Sequence, residues 1–360
     1  MTPHFHRLVI ADVRRETAES VSIAFAIPEA LSEAYRFRPG QNLTLKTVLA
    51  GDEIRRCYSI CSGLDDGELR IAVKRQDGGL FSPIANDALK PGDAIEVMTP
   101  SGNFTTVLDP GARRLYLGIA AGSGITPLMS IIKTVLAREP QSRFFLLYGN
   151  RSTQSIMFRA ALEDLKDRFL DRFALTHVLS REAQDVAALS GRIDAAKIAL
   201  FLRGVAPPER IDHAFVCGPA TLLDVAEATL RGLGLAPERI HVERFTVAGE
   251  PAPRHAPLRA AAATAADIVA EAEAVLDGIR HRFPVAAAQS IIEAAEAAGL
   301  ELPYSCRGGM CCTCRARLVD GKVDMAANYS LERWELEAGF VLTCQSRPTT
   351  SKVVLDYDQL

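Results

Sequence analysis

The sequence predicts a multidomain protein in three units: an antiparallel β-barrel, a doubly wound α/β unit on a parallel sheet, and an α+β unit carrying a cysteine cluster. Three observations predict it. Up to about residue 110, short alternating segments are separated by turn pairs. From 111, apolar strands alternate with amphipathic helices. Near the C-terminus, four of the eight cysteines fall within the nine residues 306–314. At 360 residues the chain is long enough for two or three cores. The expected boundaries are 1–110, 111–248 and 269–360, with the Ala- and Pro-rich 249–268 as a linker.

In the first unit, Val21, Ile23, Phe25 and Ile27 alternate, and "NLTLKTVL", "RCYSICS", "ELRIAVKR" and "AIEVM" follow as further strands. Pro39-Gly40, Asp66-Gly67 and Pro91-Gly92 mark the reversals. In the second unit, "RRLYLGIA", "RFFLLYGN", "FALTHVLS", "HAFVCGP" and "RIHVERF" read as strands. "TPLMSIIKTVLA", "FRAALEDLKDRF" and "ATLLDVAEATLRGLG" read as helices. The stretch 115–136 is nearly uncharged over a membrane-spanning length, but its glycines and Pro127 fit a buried strand, a tight loop and a helix start instead. In the third unit, Ser290 and Glu293 have capping-box spacing and Gly299 can end that helix, while "DIVAEAEAVLDG" looks helical by propensity.

With 48% hydrophobic residues, 24% charged residues and a net charge of −3, no basic surface suits nucleic acid. The N-terminus shows no basic, apolar and cleavage-site sequence of a secretory signal, so a cytoplasmic location is expected.

Cys306, Cys311 and Cys314 stand at C-x4-C-x2-C, and Cys344 follows after 29 intervening residues. That is the plant-type spacing for a 2Fe–2S cluster, and small residues in the loop let backbone N–H groups approach the sulfurs. Zinc would call for a second knuckle or a histidine pair, which the surroundings of Cys344 lack. Disulfides are disfavoured without export. Cys312 breaks the spacing and reads as a bystander, and Cys57, Cys61 and Cys217 as small buried residues.

A one-electron carrier needs a source of electrons. In "RCYS", Arg56 can fork onto a phosphate, Tyr58 can lie along a flavin ring, and Ser59 can reach its N5 edge. "AVK" (72–74) and "DGGLFS" (77–82) offer a strand and a glycine turn suited to a pyrophosphate. "GIAAGSGITP" joins a strand to a helix, and Gly122, Ser123, Gly124 and Thr126 permit close approach of a dinucleotide. Arg151 and Arg181, with Ser180, provide charge for a 2′-phosphate, which favours NADPH over NADH.

Taken in order, R-x-Y-S, G-x-x-S, G-S-G-I-T-P and C-G-P resemble the ferredoxin–NADP reductase superfamily over almost the whole chain, with a plant-type ferredoxin fused at the C-terminus. The ensemble looks like the reductase component of a bacterial multicomponent oxygenase. "CRGGMCCTCRA", "GKVDMAANYSLE" and "GFVLTCQSRPTTSKVVLDYD" resemble the group serving phenylacetyl-CoA epoxidase. The resemblance implies a β-grasp ferredoxin fold, with part of "DIVAEAEAVLDG" as a strand. It also implies FAD held by Arg56, Tyr58, Ser59, Val73, Lys74, Gly79 and Ser82, and the nicotinamide cofactor cradled at 122–126 beside Gly218 and Pro219. Cys217 would stand near the reacting ring with Tyr58 and Ser59, and Phe245 would cover the flavin. Cys306, Cys311, Cys314 and Cys344 would bind the cluster, and a diiron oxygenase would be the partner. The stretch 269–360 carries 13 acidic and 9 basic residues, a net −4, which would suit a basic docking surface on that partner. FMN with NADH, another ring or steroid oxygenase, and a non-catalytic iron–sulfur sensing module are the rival readings. The intact motifs weigh against the last.

Overall fold

The computed structural model describes residues 4–49, 51–205, 207–245 and 267–359, so the stretch expected as a linker falls almost wholly outside the described residues. The first sheet contains β1 (Phe5–Thr17), β2 (Ser20–Ala26), β3 (Asn42–Leu49), β4 (Asp52–Ser59), β5 (Leu69–Lys74) and β6 (Ala94–Met98), with the short helix α1 (Ser82–Asp87) before β6. All strands pair antiparallel in the order β4-β3-β6-β1-β2-β5. A bridge from Ile60 to Ile71, with the Cys61 amide donating to the Arg70 carbonyl at 2.8 Å, brings the ends together into a barrel. Alternate residues such as Leu8, Ile10, Ile23, Leu45 and Ile71 fill its interior.

The second sheet is parallel: β7 (Leu115–Ala121), β8 (Arg143–Asn150), β9 (Phe173–Leu179), β10 (His213–Gly218) and β11 (Ile240–Arg244), in the order β11-β10-β7-β8-β9. Between them run α2 (Ile125–Arg138), α3 (Arg159–Arg168), α4 (Ala195–Val205) and α5 (Ala220–Gly232). The sequence reading assigns no element to 195–205. There Ile198 and Leu202, four apart, are buried on one face. The strand order reverses between β7 and β10, where open α/β sheets leave a crevice for ligands.

The third unit has β12 (Ile268–Leu276), β13 (Ile279–Ala286), α6 (Ile291–Ala297), β14 (Arg315–Asp320), β15 (Val323–Met325), α7 (Arg333–Glu337), β16 (Phe340–Leu342), β17 (Ser346–Pro348) and β18 (Lys352–Asp356). Five strands form the sheet β13-β12-β18-β14-β16, and β15 pairs with β17. The helix expected from propensity in "DIVAEAEAVLDG" is corrected to the strand β12. Ala270, Ala272 and Ala274 recur with period two on the core face, and pairing with β13 and β18 overrides the helix preference of Ala and Glu. The capping box on α6 is present: the Glu293 amide donates to Ser290 Oγ at 3.3 Å and the Ser290 amide to Glu293 Oε2 at 2.8 Å. Among the described residues no helix is long and apolar enough to cross a membrane.

Candidate active site

One cavity of about 870 Å³ runs where the barrel, the parallel sheet and the cysteine loop meet. The C-terminal half of β4 forms one wall, contributing Arg56, Tyr58 and Ser59. Tyr58 packs against Phe81 at 5.6 Å between ring centroids, and burial raises its hydroxyl pKa far above the usual range. Lys74, at the end of β5, and Arg151, just after β8, face the same space. Burial, reinforced by the Arg151 charge, lowers the Lys74 pKa, as desolvation of neighbouring cations requires.

Across the cavity, Gly122 and Ser123 form a tight turn leading into α2, and Thr126 donates its hydroxyl to the Ser123 carbonyl at 2.9 Å. The N-terminus of α2 is thereby aimed at the cavity, a favourable position for an anion. Gly124 does not line the space. A Cβ there would stand 2.1 Å from the Cys217 carbonyl oxygen, so this glycine lets α2 sit against β10 at the sheet's switch point. Further along lie Ser180, Arg181, Gly218, Pro219 and the exposed Phe245, together with Arg192, which the sequence reading does not single out. Val73 and Cys217 are fully buried behind the wall. Ser82 Oγ accepts from the Gln76 amide at 3.0 Å and closes the turn that includes Gly79, so these two shape the loop from outside the cavity lining.

The cysteine loop closes the remaining side with Ser305, Cys306 and Met310. Its backbone curls tightly: Arg307 and Cys312 take positive φ, as does Gly309, where a Cβ would come within 2.9 Å of the Ala327 carbonyl oxygen. The amides of Gly308 and Met310 each point at Cys306 Sγ from 3.4 Å, and the Cys306 amide at Cys311 Sγ from 3.5 Å. Cys314 and Cys344 are likewise buried in this loop region. Neighbouring thiols, Cys311 for the one and Cys344 for the other, together with burial hold the Cys306 and Cys314 thiols well above the usual cysteine range. Cys312 faces away, 3.8 Å from Asn103 Nδ2 of the barrel unit.

Three family models match the chain: an oxidoreductase FAD-binding domain over 8–106, an oxidoreductase NAD-binding domain over 119–228 and a 2Fe–2S iron–sulfur cluster binding domain over 274–349. The chain is 45% identical to a component of the 1,2-phenylacetyl-CoA epoxidase of Escherichia coli over 98% of both chains. The chain belongs to the flavin and iron–sulfur oxygenase reductases. It is 35% identical to the ferredoxin reductase component of 3-ketosteroid-9-alpha-monooxygenase of Mycobacterium tuberculosis, over 99% of this chain and 97% of that one. The solved phthalate dioxygenase reductase, described as a modular structure for electron transfer from pyridine nucleotides to [2Fe–2S], has the same fold. It superposes with a TM-score of 0.55 at 24% identity over 98% of each chain.

The reductase is an NAD(P)H-dependent oxidoreductase that uses FAD and a 2Fe–2S cluster and supplies an oxygenase. Its residues fit those groups. The amides of Gly308 and Met310 aimed at Cys306 Sγ, and that of Cys306 aimed at Cys311 Sγ, suit sulfurs that carry the negative charge of a cluster. The Ser305 hydroxyl is buried without a hydrogen-bond partner, a donor left for a sulfur in the loop. The cationic wall of Lys74, Arg75 and Arg151 fits a dinucleotide's phosphates.

The reductase also has a site residue that sequence reasoning misses, Glu243 on β11. Ser59 Oγ donates to its Oε2 at 3.2 Å, and Cys217 Sγ lies 4.0 Å from the same oxygen. The residue keeps an open side toward a small cleft among the three units, but its carboxyl group is enclosed by protein, and burial pushes its pKa up to about 8. The available signal is the register of the parallel sheet, which sets Glu243 beside Cys217. That pairing exists only once β10 and β11 are neighbours.

Proposed function

We propose that the reductase takes electrons from NADPH and delivers them to the diiron oxygenase of a phenylacetyl-CoA epoxidase system in the cytoplasm. The observation that carries the reading is the continuity of one cavity from the arginines after β8 and β9, past Tyr58 and Ser59, to the cysteine loop at Cys306. The Escherichia coli epoxidase component, alike over the full length, supports the choice of partner. Cys57, Cys61, Cys217 and Cys312, the cysteines outside the cluster set, form no disulfide, in keeping with a reducing compartment.

Bound in this cavity, FAD would accept a hydride and the cluster would take electrons singly, converting a two-electron donor into the one-electron supply an oxygenase uses. The protein's own work is placement. Arg56 presents a guanidinium to the flavin phosphates and Tyr58 a ring to the isoalloxazine. The start of α2 and Lys74 offer backbone dipole and charge to the nucleotide phosphates. Arg151 and Arg181 present planar cations to a 2′-phosphate, with Ser180 beside them and no acidic residue at the end of β8 to prefer a free ribose. Glu243 retains its proton at neutral pH and fixes the Ser59 hydroxyl at the inner end of the cavity.

The test is anaerobic titration of the purified protein with NADPH and, in parallel, NADH, followed by visible absorption and EPR. Bleaching of flavin together with a reduced 2Fe–2S signal at low NADPH is expected, and reduction by NADH alone overturns the 2′-phosphate assignment. Reconstitution with the epoxidase components should give substrate-dependent NADPH consumption. Turnover only with a different oxygenase would reject the epoxidase partner.

A further inference from the structure

Strand β4 serves two units. Arg55, Arg56 and Tyr58 all border the cavity, and Arg55, only 4% exposed, also reaches into the cysteine-bearing unit. Its Nη2 donates to Glu301 Oε1 at 2.7 Å, and Nη1 approaches the Tyr304 carbonyl oxygen at 3.5 Å. The guanidinium lies 4.0 Å from the centroid of the Tyr304 ring, and Arg307 lies 4.3 Å from the same ring, so the tyrosine packs between two planar cations. Tyr304 stands two residues before Cys306.

The other side of Arg55 is equally occupied. Nε donates to Glu53 Oε1 at 2.7 Å and the guanidinium packs 4.9 Å from the Phe5 ring. Lys46 adds a second cation, 3.6 Å from Glu301. A buried guanidinium is tolerated only when so paired, and its planar fork is the feature a lysine lacks. Other links to the cysteine-bearing unit are polar: Asn103 Nδ2 to Glu335 Oε1 at 2.7 Å, His241 to Glu332 at 3.5 Å and His4 to Asp277 at 3.3 Å. Among these contacts Arg55 is the most deeply buried cation.

We propose that Arg55 is a positioning residue that seats the cysteine loop against the flavin-binding strand, so that delivery of electrons to the cluster depends on it while reduction of the flavin by the nucleotide does not. The step concerned moves one electron out of the flavin and one into the cluster, with no bond made or broken. Because Arg55 and Arg56 are consecutive, the same stretch of backbone would register both cofactor sites. This inference rests on the electron order given above.

The test uses holoprotein variants Arg55→Gln, Arg55→Lys and Glu301→Gln and the Arg55→Gln/Glu301→Gln pair. Anaerobic stopped-flow reads flavin bleaching and cluster reduction separately, and amide hydrogen exchange over 301–310 reads the seating of the loop. In Arg55→Gln, cluster reduction is expected to slow by about tenfold or more, with flavin bleaching within about twofold of the parent. Exchange over 301–310 should rise, Arg55→Lys should recover only part of the rate, and the double variant should be no slower than Arg55→Gln. Unchanged cluster reduction, or equal slowing of both steps, overturns the proposal. If Arg55→Gln does not fold, Glu301→Gln, changed at an exposed side chain, gives the same separation of rates in weaker form or overturns it. A parent protein unresponsive to either nucleotide would refute the functional reading, whereas photoreduction of its flavin would still report on Arg55.

Discussion

Replacing Glu243 by Gln keeps the shape and the hydrogen bond from Ser59 but removes the ionisation. Burial holds the carboxyl at about 8 against an ordinary 4.5, with the Ser59 hydroxyl opposing the shift. The folded value is raised, so the group's contribution to stability is complete below pH 4.5 and is lost as pH climbs to about 8. At about 1.4 kcal/mol per pH unit, the loss amounts to about 2 kcal/mol near pH 6 and at most about 5 kcal/mol near pH 9, the open side toward the cleft reducing the larger figure. The assay is urea unfolding of the holoprotein followed through flavin release from about pH 6 to about pH 9, for the parent and Glu243→Gln. The parent should lose up to about 3 kcal/mol more than the variant across that range, the variant becoming the more stable in alkali. Parallel pH curves would refute the reasoning, because they would mean that the carboxyl ionises in the fold as freely as in water.

Arg151→Ser with Arg181→Ser should raise the KM for NADPH by about a hundredfold or more and leave that for NADH within about threefold, since each charge-assisted contact contributes about 1.5–3 kcal/mol; initial-rate kinetics with both nucleotides decide it. Cys344→Ser should abolish the 2Fe–2S absorption and EPR signal while flavin remains bound, whereas Cys312→Ala should retain the cluster; iron and flavin assays on the two proteins check this. Gly124→Ala places a methyl group 2.1 Å from the Cys217 carbonyl oxygen, so a loss of about 3 kcal/mol or more and weakened nucleotide binding are expected in thermal unfolding and titration calorimetry.

Much of this protein is legible in one dimension because the relevant physics is local. The alternation of Val21, Ile23 and Phe25 in β2, the capping box at Ser290 and Glu293, and the spacing of Cys306, Cys311 and Cys314 each depend on neighbours a few residues apart. A loop of small residues before α2 likewise announces an anion site without knowledge of what lies opposite.

Other features required the fold. "DIVAEAEAVLDG" has helix-forming composition, and only the partners β13 and β18 make it a strand. That Gly124 also has to let β10 pass 2.1 Å from where its Cβ would stand is visible only in the fold. Glu243 resembles any glutamate near an aromatic residue until a parallel register sets it beside Cys217 and the barrel brings Ser59 to its carboxylate. Arg55 and Tyr304, 249 residues apart, meet only because two units dock. Sequence by itself determined which cofactors the chain can hold, since ligand type and spacing are properties of short segments. Tertiary structure alone decided how the sites face one another and which charges are buried between them, because desolvation and contact depend on what distant parts of the chain bring into the same space.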